Sequence, residues 1–220
     1  DAIMAIYNSG QSGVREKADQ SPVTEADLAA HAVLAKALGS LLPTYPVVSE
    51  EDENSLVHRH GAGSFWLIDP LDGTKEFIAR NGEFTVNIAL IEHGRSVLGV
   101  VYAPAIDCTY WGGAGLGAFR MTAAGTQAIK VSPEDANGVC RVVASKSHLN
   151  DETQAFIDRL GSVSLVQAGS SLKFCRVAEG MADIYPRLAP TCEWDTAAAQ
   201  AVLEGAGGVV LDQDGNPLCY

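Results

Sequence analysis

The sequence predicts a chain of the α+β to α/β class built from two parts, and three observations carry that expectation. Residues 85–121 read as a meander of β-rich runs, the chain after Ser132 alternates strand with helix patterns, and residues 24–42 space Ala, Leu and Val at helical intervals. Together they place an antiparallel sheet with helices against it in residues 1–131 and an α/β part in residues 132–220.

Residues 1–7 read as part of a helix. Thr24 is a fitting N-cap for the next one, with Asp27 three residues on, close to a capping box. Pro43 and Pro46 end that helix, and Val47-Val48 forms a short extended stretch before the acidic run Glu50-Glu51-Asp52-Glu53. Residues 65–68 form a buried strand, stopped by Asp69-Pro70 and turned by Asp72-Gly73 into a helix from Thr74 or Lys75. The meander comprises 86–91, 97–102, 109–111 and 118–121, its first pair joined by Glu92-His93-Gly94-Arg95. Later strands are expected at 141–144, 163–166, 182–185 and 209–211, and helices at 151–160, 171–179 and 195–204. Both ends read as trimmed, since a helix is already under way at Asp1 and a turn at 214–217 calls for another strand.

The formal charge of −12 argues against coating a nucleic acid or an anionic membrane, which reward clustered Lys and Arg. An acidic protein that takes a phosphorylated substrate must reverse its field locally, and bound divalent cations do that. The five cysteines (108, 140, 175, 192, 219) form no C-x-x-C, which favours free thiols and a reducing cytoplasm. No apolar run approaches the ~18 residues of a membrane span, and no signal peptide opens the chain. His58-x-His60 has a metal-like spacing but sits in a loop setting that favours solvated histidines.

Three acidic elements stand out. In Trp66-Leu67-Ile68-Asp69-Pro70-Leu71-Asp72-Gly73-Thr74 a strand delivers Asp69, and Asp72 follows three residues later. The two carboxylates and the Leu71 carbonyl suit a hard divalent cation, and the Gly73 and Thr74 amides at a helix start suit a phosphate. Turn and cap roles would also explain these aspartates. Glu50 in Ser49-Glu50-Glu51 could equally be part of a solvated face, and Asp195 in Trp194-Asp195-Thr196-Ala197-Ala198 could simply stabilise a helix N-terminus.

In combination with Pro22-Val23-Thr24-x-x-Asp27, these elements resemble, in order and spacing, the inositol monophosphatase superfamily of lithium-sensitive, Mg²⁺-dependent phosphatases. The resemblance implies a layered α-β-α-β-α sandwich of the sugar-phosphatase type, with an antiparallel first sheet and a mixed second sheet. It also implies two Mg²⁺ ions, with a third more weakly held. Glu50, Asp69 and the Leu71 carbonyl resemble the ligands of the first ion; Asp69 bridges to a second, completed by Asp72 and Asp195. Thr74 and Glu50 would orient the attacking water, with Asp27 near its path and near the third ion.

Residues 75–90 (KEFIARNGEFTVNIAL), 145–148 (SKSH), 169–175 (GSSLKFC) and 185–187 (YPR) are similar to bacterial 3′(2′),5′-bisphosphate nucleotidases of the CysQ type. That similarity implies hydrolysis of the 3′-phosphate of adenosine 3′,5′-bisphosphate (PAP) to AMP, and action on the sulfated relative PAPS, in sulfur metabolism. Ser170, Ser171 and Lys173 would take the remaining phosphate and ribose, and His148 and Arg187 would lie near the base or phosphate. Glu50, Leu71, Asp72, Gly73, Thr74 and Asp195 would meet the scissile phosphate. Lys173 and Arg187 could also be surface charges, and His148 a helix cap. Competing readings are an inositol monophosphatase or fructose-1,6-bisphosphatase, and a catalytically silent Mg²⁺- or nucleotide-binding module. Relatives associate peripherally with the inner membrane, and oligomeric state is left open.

Overall fold

The computed structural model describes residues 1–17, 21–59, 63–133, 138–144 and 150–220. Helix α1 (Ala2–Ser9) and the antiparallel pair β1 (Arg15–Glu16) and β2 (Pro22–Val23) lead into α2 (Glu25–Leu41). Thr24 caps α2 as its sequence implies. Its hydroxyl accepts from the Ala26 N–H at 3.1 Å, and its own N–H donates to Asp27 Oδ2 at 2.8 Å. Donors that a helix start would leave open are thereby satisfied.

Seven strands then form one sheet in chain order: β3 (Val47–Ser49), β4 (Ser64–Asp72), β5 (Thr85–Glu92), β6 (Arg95–Ala103), β7 (Cys108–Gly113), β8 (Gly117–Thr122) and β9 (Gly125–Ile129). Neighbours are antiparallel from β4 onward, and β3 lies parallel to β4 at the edge. The β5–β6 hairpin closes through His93 and Gly94, with φ of 49° and 78°, the two-residue turn whose twist suits a hairpin. After the sheet come β10 (Cys140–Ala144), α4 (Asp151–Asp158), β11 (Val163–Gln167), α5 (Leu172–Ala178) and α6 (Glu193–Gly205). β10 and β11 pair in parallel, and Ile184 adds a single parallel bridge to Val142.

Strand β4 is buried on both faces because its side chains alternate between two layers. Phe65 and Leu67 join the core that includes the alanines of α6, while Trp66 and Ile68 pack with Leu38 of α2. α6 lies almost in contact with the sheet backbone: a Cβ on Gly99 would overlap the Ala198 carbonyl, and one on Gly205 would sit 2.5 Å from the Gly117 carbonyl oxygen. Although α6 belongs to residues 132–220, it packs on β4 to β8. No helix among the described residues is long and apolar enough to cross a membrane. All five cysteines are free thiols.

Five local expectations are revised. β4 does not stop at Asp69-Pro70 but runs on to Asp72. Asp69 faces Asn87 and Asp72 faces Thr85, so β4 has one residue more than β5 between these pairs, and the bulge absorbs the N–H that Pro70 lacks. Residues 53–59 of the acidic region and beyond wind into a 3-10 helix (Glu53–Arg59), and β9 is an additional strand. Residues 182–185 and 209–211 make isolated bridges, Val142–Ile184 and Leu211–Pro217, in place of strands. Pro186 offers no N–H to extend the first, and Asp212, which accepts from the Asp214 and Asn216 N–H groups, folds the second into a turn.

Candidate active site

The parallel pairing of β3 with β4 brings Glu50 beside Asp69: the Glu50 N–H donates to the Ile68 carbonyl at 3.3 Å. The close seating of α6 on the sheet brings Asp195 to the same point. One oxygen from each of Glu50, Asp69 and Asp195 lies within 4.8 Å of the others. Asp195 is also a helix cap, its Oδ2 accepting from Thr191 Oγ1 at 2.8 Å and the Cys192 N–H at 3.1 Å. Asp69 Oδ1 accepts from the Leu71 N–H at 3.0 Å, which bends the bulge and leaves the Leu71 carbonyl at the cleft.

The electrostatics of this trio call for a cation. Asp69 is 1% exposed. Burial, then the charges of Glu50, Asp72 and Asp195, push its carboxyl well above the ordinary range. Burial and Asp195 likewise push Asp72 up to about 7, against the pull of Lys173 and the bonds from Ser171 and Asn87. An all-oxygen, carboxylate-rich donor set whose members raise one another's pKa fits a hard divalent ion such as Mg²⁺. Asp72 stands outside the tight trio and is held by protein donors instead, chiefly the Ser171 N–H at 2.6 Å.

The carboxylates open into a cleft of about 240 Å³. Thr74 sits at the start of α3 (Thr74–Ile78), where its hydroxyl lies 3.2 Å from Asp27 Oδ1 and 3.4 Å from the Leu71 carbonyl oxygen. Burial raises the Asp27 carboxyl above its usual range, and the Thr24 hydroxyl and N–H oppose that. Gly73, at φ 90°, allows the turn into α3; a Cβ there would collide with Ser170 Oγ. The same cleft is lined by Lys173, 5% exposed, and by Arg187, which donates to the Pro190 carbonyl at 2.8 Å. Burial lowers the Lys173 ammonium; Asp72 opposes this and Arg187 adds to it. The Lys173 Nζ stands 5.5 Å from the centre of the Tyr185 ring.

Of the serines expected to face substrate, Ser170 Oγ lies 2.9 Å from the Asp72 carbonyl oxygen and 2.8 Å from that of Glu83. Ser171 is 1% exposed and turned toward Asp72, Thr85 and Asn87, so it supports the carboxylate and does not line the cleft. His148 lies outside the described residues.

Sequence reading passed over three contributors. Lys17 Nζ bonds both Glu50 Oε1 and Glu51 Oε1 at 2.8 Å. Burial alone would lower the Lys17 ammonium, but these two carboxylates outweigh it and hold it above the usual lysine range. Thr85 and Asn87 are polar residues at the inward positions of β5, in register with Ala89 and Ile91 of the core, and that misplaced polarity was the signal available.

A model of the inositol monophosphatase family matches residues 2–220. The chain is 49% identical to the 3′(2′),5′-bisphosphate nucleotidase CysQ of Escherichia coli strain K12, across 100% of this chain and 88% of that relative. It is 35% identical to the Haemophilus influenzae protein of the same name, across 99% and 85% respectively. Among solved structures, CysQ from Bacteroides thetaiotaomicron, a bacterial member of the inositol monophosphatase family, superposes with a TM-score of 0.86 at 40% identity. That match covers 100% of this chain and 86% of the other. The inositol monophosphatase of Anabaena sp. PCC 7120 follows the same path with a TM-score of 0.72 at 30% identity, over 88% and 77% of the two chains. Family, fold and converging carboxylates agree along the full length: the chain belongs to the inositol monophosphatase family.

Proposed function

We propose that the protein is a Mg²⁺-dependent 3′(2′),5′-bisphosphate nucleotidase that converts PAP to AMP and phosphate, and PAPS to adenosine 5′-phosphosulfate, in sulfate assimilation. The observation that carries this reading is the presence, in one cleft, of a carboxylate cluster together with a buried lysine and an arginine. A substrate with two phosphates needs both: one end for the cations and the scissile group, the other for the remaining phosphate. The names of the relatives at 35–49% identity support the same substrate class.

In this reading Glu50, Asp69 and the Leu71 carbonyl hold one Mg²⁺, and Asp69, Asp72 and Asp195 a second, with Asp27 near a third, weaker position. When bound, the cations lower the pKa of water and neutralise charge on the phosphoryl oxygens. Asp27 holds the Thr74 hydroxyl so that its oxygen can orient a water in line with phosphorus, and Glu50 takes the second hydrogen of that water. Attack forms a new P–O bond as the P–O3′ bond breaks; the 3′ oxygen takes a proton from solvent water and leaves as the ribose hydroxyl, and the proton taken by Glu50 returns to solvent. The Gly73 and Thr74 amides face the scissile phosphate. Lys173, Arg187 and Tyr185 anchor the second phosphate, and His148, on the resemblance alone, would meet the base or phosphate. Lithium sensitivity is typical of the family. The free thiols support a place in the cytoplasm, including its boundary at the inner membrane.

The test is kcat/KM for PAP, inositol 1-phosphate and fructose 1,6-bisphosphate at one Mg²⁺ concentration. PAP should lead by at least about 100-fold, because binding energy from the remote phosphate positions the reacting one. Lys173→Ala should erase that lead while leaving hydrolysis of a small monoester within a few fold. If inositol 1-phosphate is the better substrate, the nucleotidase reading falls.

A further inference from the structure

Three side chains behind Asp72, none of them on the cleft wall, form a closed hydrogen-bonded ring with it. Asp72 Oδ2 receives the Ser171 N–H at 2.6 Å and the Asn87 Nδ2–H at 3.3 Å. Ser171 Oγ lies 2.7 Å from Asn87 Oδ1 and 2.7 Å from Thr85 Oγ1, and Thr85 Oγ1 lies 3.4 Å from Asp72 Oδ2. Thr85, Asn87 and Ser171 are 0%, 1% and 1% exposed.

The protons in this ring can be assigned from donor counting. A flipped Asn87 amide would set its carbonyl oxygen against the Asp72 carboxylate, so Nδ2 must face Asp72 and Oδ1 must face Ser171. Ser171 Oγ therefore gives its single proton to Asn87. In the 2.7 Å contact with Thr85 it must accept, which makes Thr85 the donor. The order is then fixed: Thr85 holds Ser171, Ser171 holds Asn87, and Asn87 with the Ser171 N–H holds Asp72. Both bonds converge on Oδ2, and the other oxygen is the one left to meet a cation.

We propose that Asn87, locked by Ser171 and Thr85, is the positioning residue that presents Asp72 to the metal. This rests on the reading that the carboxylates hold Mg²⁺. The ring sets which of the Asp72 oxygens is available. Partners of this kind behind a ligand alter metal affinity by about 10- to 100-fold when removed.

The experiment is calorimetric titration of the metal-free protein with Mg²⁺, without nucleotide, alongside its melting temperature in EDTA. Asn87→Ala should weaken Mg²⁺ binding by about 10-fold. Thr85→Val, nearly the same shape, should weaken it by less, and Thr85→Ser, which keeps the hydroxyl, should restore it. Mg²⁺ affinity within twofold of wild type in Asn87→Ala and Thr85→Val, whatever the change in melting, overturns the proposal. Should Asn87→Ala not fold, the Thr85 pair decides on the same criterion. A wild-type chain that binds no Mg²⁺ overturns both this and the metal reading. Failure of PAP as a substrate leaves the titration unaffected.

Discussion

Asp69 is placed where a carboxylate is costly, at the end of a doubly buried strand with three other carboxylates acting on it. Its charged form is disfavoured there without a cation, and that yields two effects of opposite sign from one substitution. Asp69→Asn keeps the acceptor for the Leu71 N–H but removes the charge. Turnover should fall by roughly 10³-fold, in the range for losing a key electrostatic group, while the metal-free protein should melt higher than wild type. Wild-type kcat at saturating Mg²⁺ would refute the ligand role; a lower melting point in EDTA would refute the repulsion. Glu50, Asp69, Asp72 and Asp195 stood out in sequence only in combination, through the resemblance, since each alone fits a turn, a cap or a solvated face; the fold brings Glu50, Asp69 and Asp195 together. Asn87 and Ser171 were not legible as a pair. They meet across 84 residues of chain, and neither carries a local signal of the other.

The element that matters most for assembling the site is α6, because its first turn carries Asp195 while its alanines lie on the sheet. The alanines at 197–199 and 201 let α6 come close, but that Gly99 of β6 receives it, and that Gly205 at the end of α6 meets the Gly117 carbonyl, is visible only in the fold. Ser96 fastens the contact by donating to the Ala197 carbonyl at 2.7 Å. Gly99→Ala should therefore cost about 1–3 kcal/mol through overpacking and raise the Mg²⁺ needed for half-maximal activity by shifting Asp195. Gly39→Ala is the contrast. Gly39 lies within α2 with open space around it, so alanine should stabilise by about 0.5–1 kcal/mol. Chemical denaturation of both variants checks the pair, and equal effects would contradict the close-packed contact. The isolated bridges are not legible in sequence because side-chain bonds from Asp212 and the ring of Pro186, rather than periodicity, decide them.

At the scale of the whole molecule the acid cluster makes stability depend on pH. The Asp72 carboxyl is raised from 3.8 to about 7, and Asp69 is raised in the same direction. Between those values the folded state binds more protons than the unfolded one. Their stabilising contribution is therefore complete below about pH 4 and is lost as pH rises through about 7. Under the proposed metal reading, Mg²⁺ bound to the ionised cluster would stabilise the folded chain by mass action. The rise in melting temperature given by millimolar Mg²⁺ should thus be small at about pH 5 and larger, by roughly 5 °C or more, at about pH 8. An equal rise at both pH values would show that these carboxylates do not govern the effect. Net charge was readable from composition, whereas its concentration in one cluster depends on β3, β4 and α6 meeting.

The separation of Asp195 from Glu50 and Asp69 along the chain has a kinetic consequence. A backbone cut between β9 and β10 would divide the trio, leaving Glu50 and Asp69 on one fragment and Asp195 on the other. The apolar contact of α6 with the sheet would then become a bimolecular interface, and hydrolysis would require two pieces to find each other. Co-expressed fragments should recover activity that falls on dilution with second-order dependence on fragment concentration. Either fragment alone should be inert at every concentration, and activity from one of them would mean that the trio is not required.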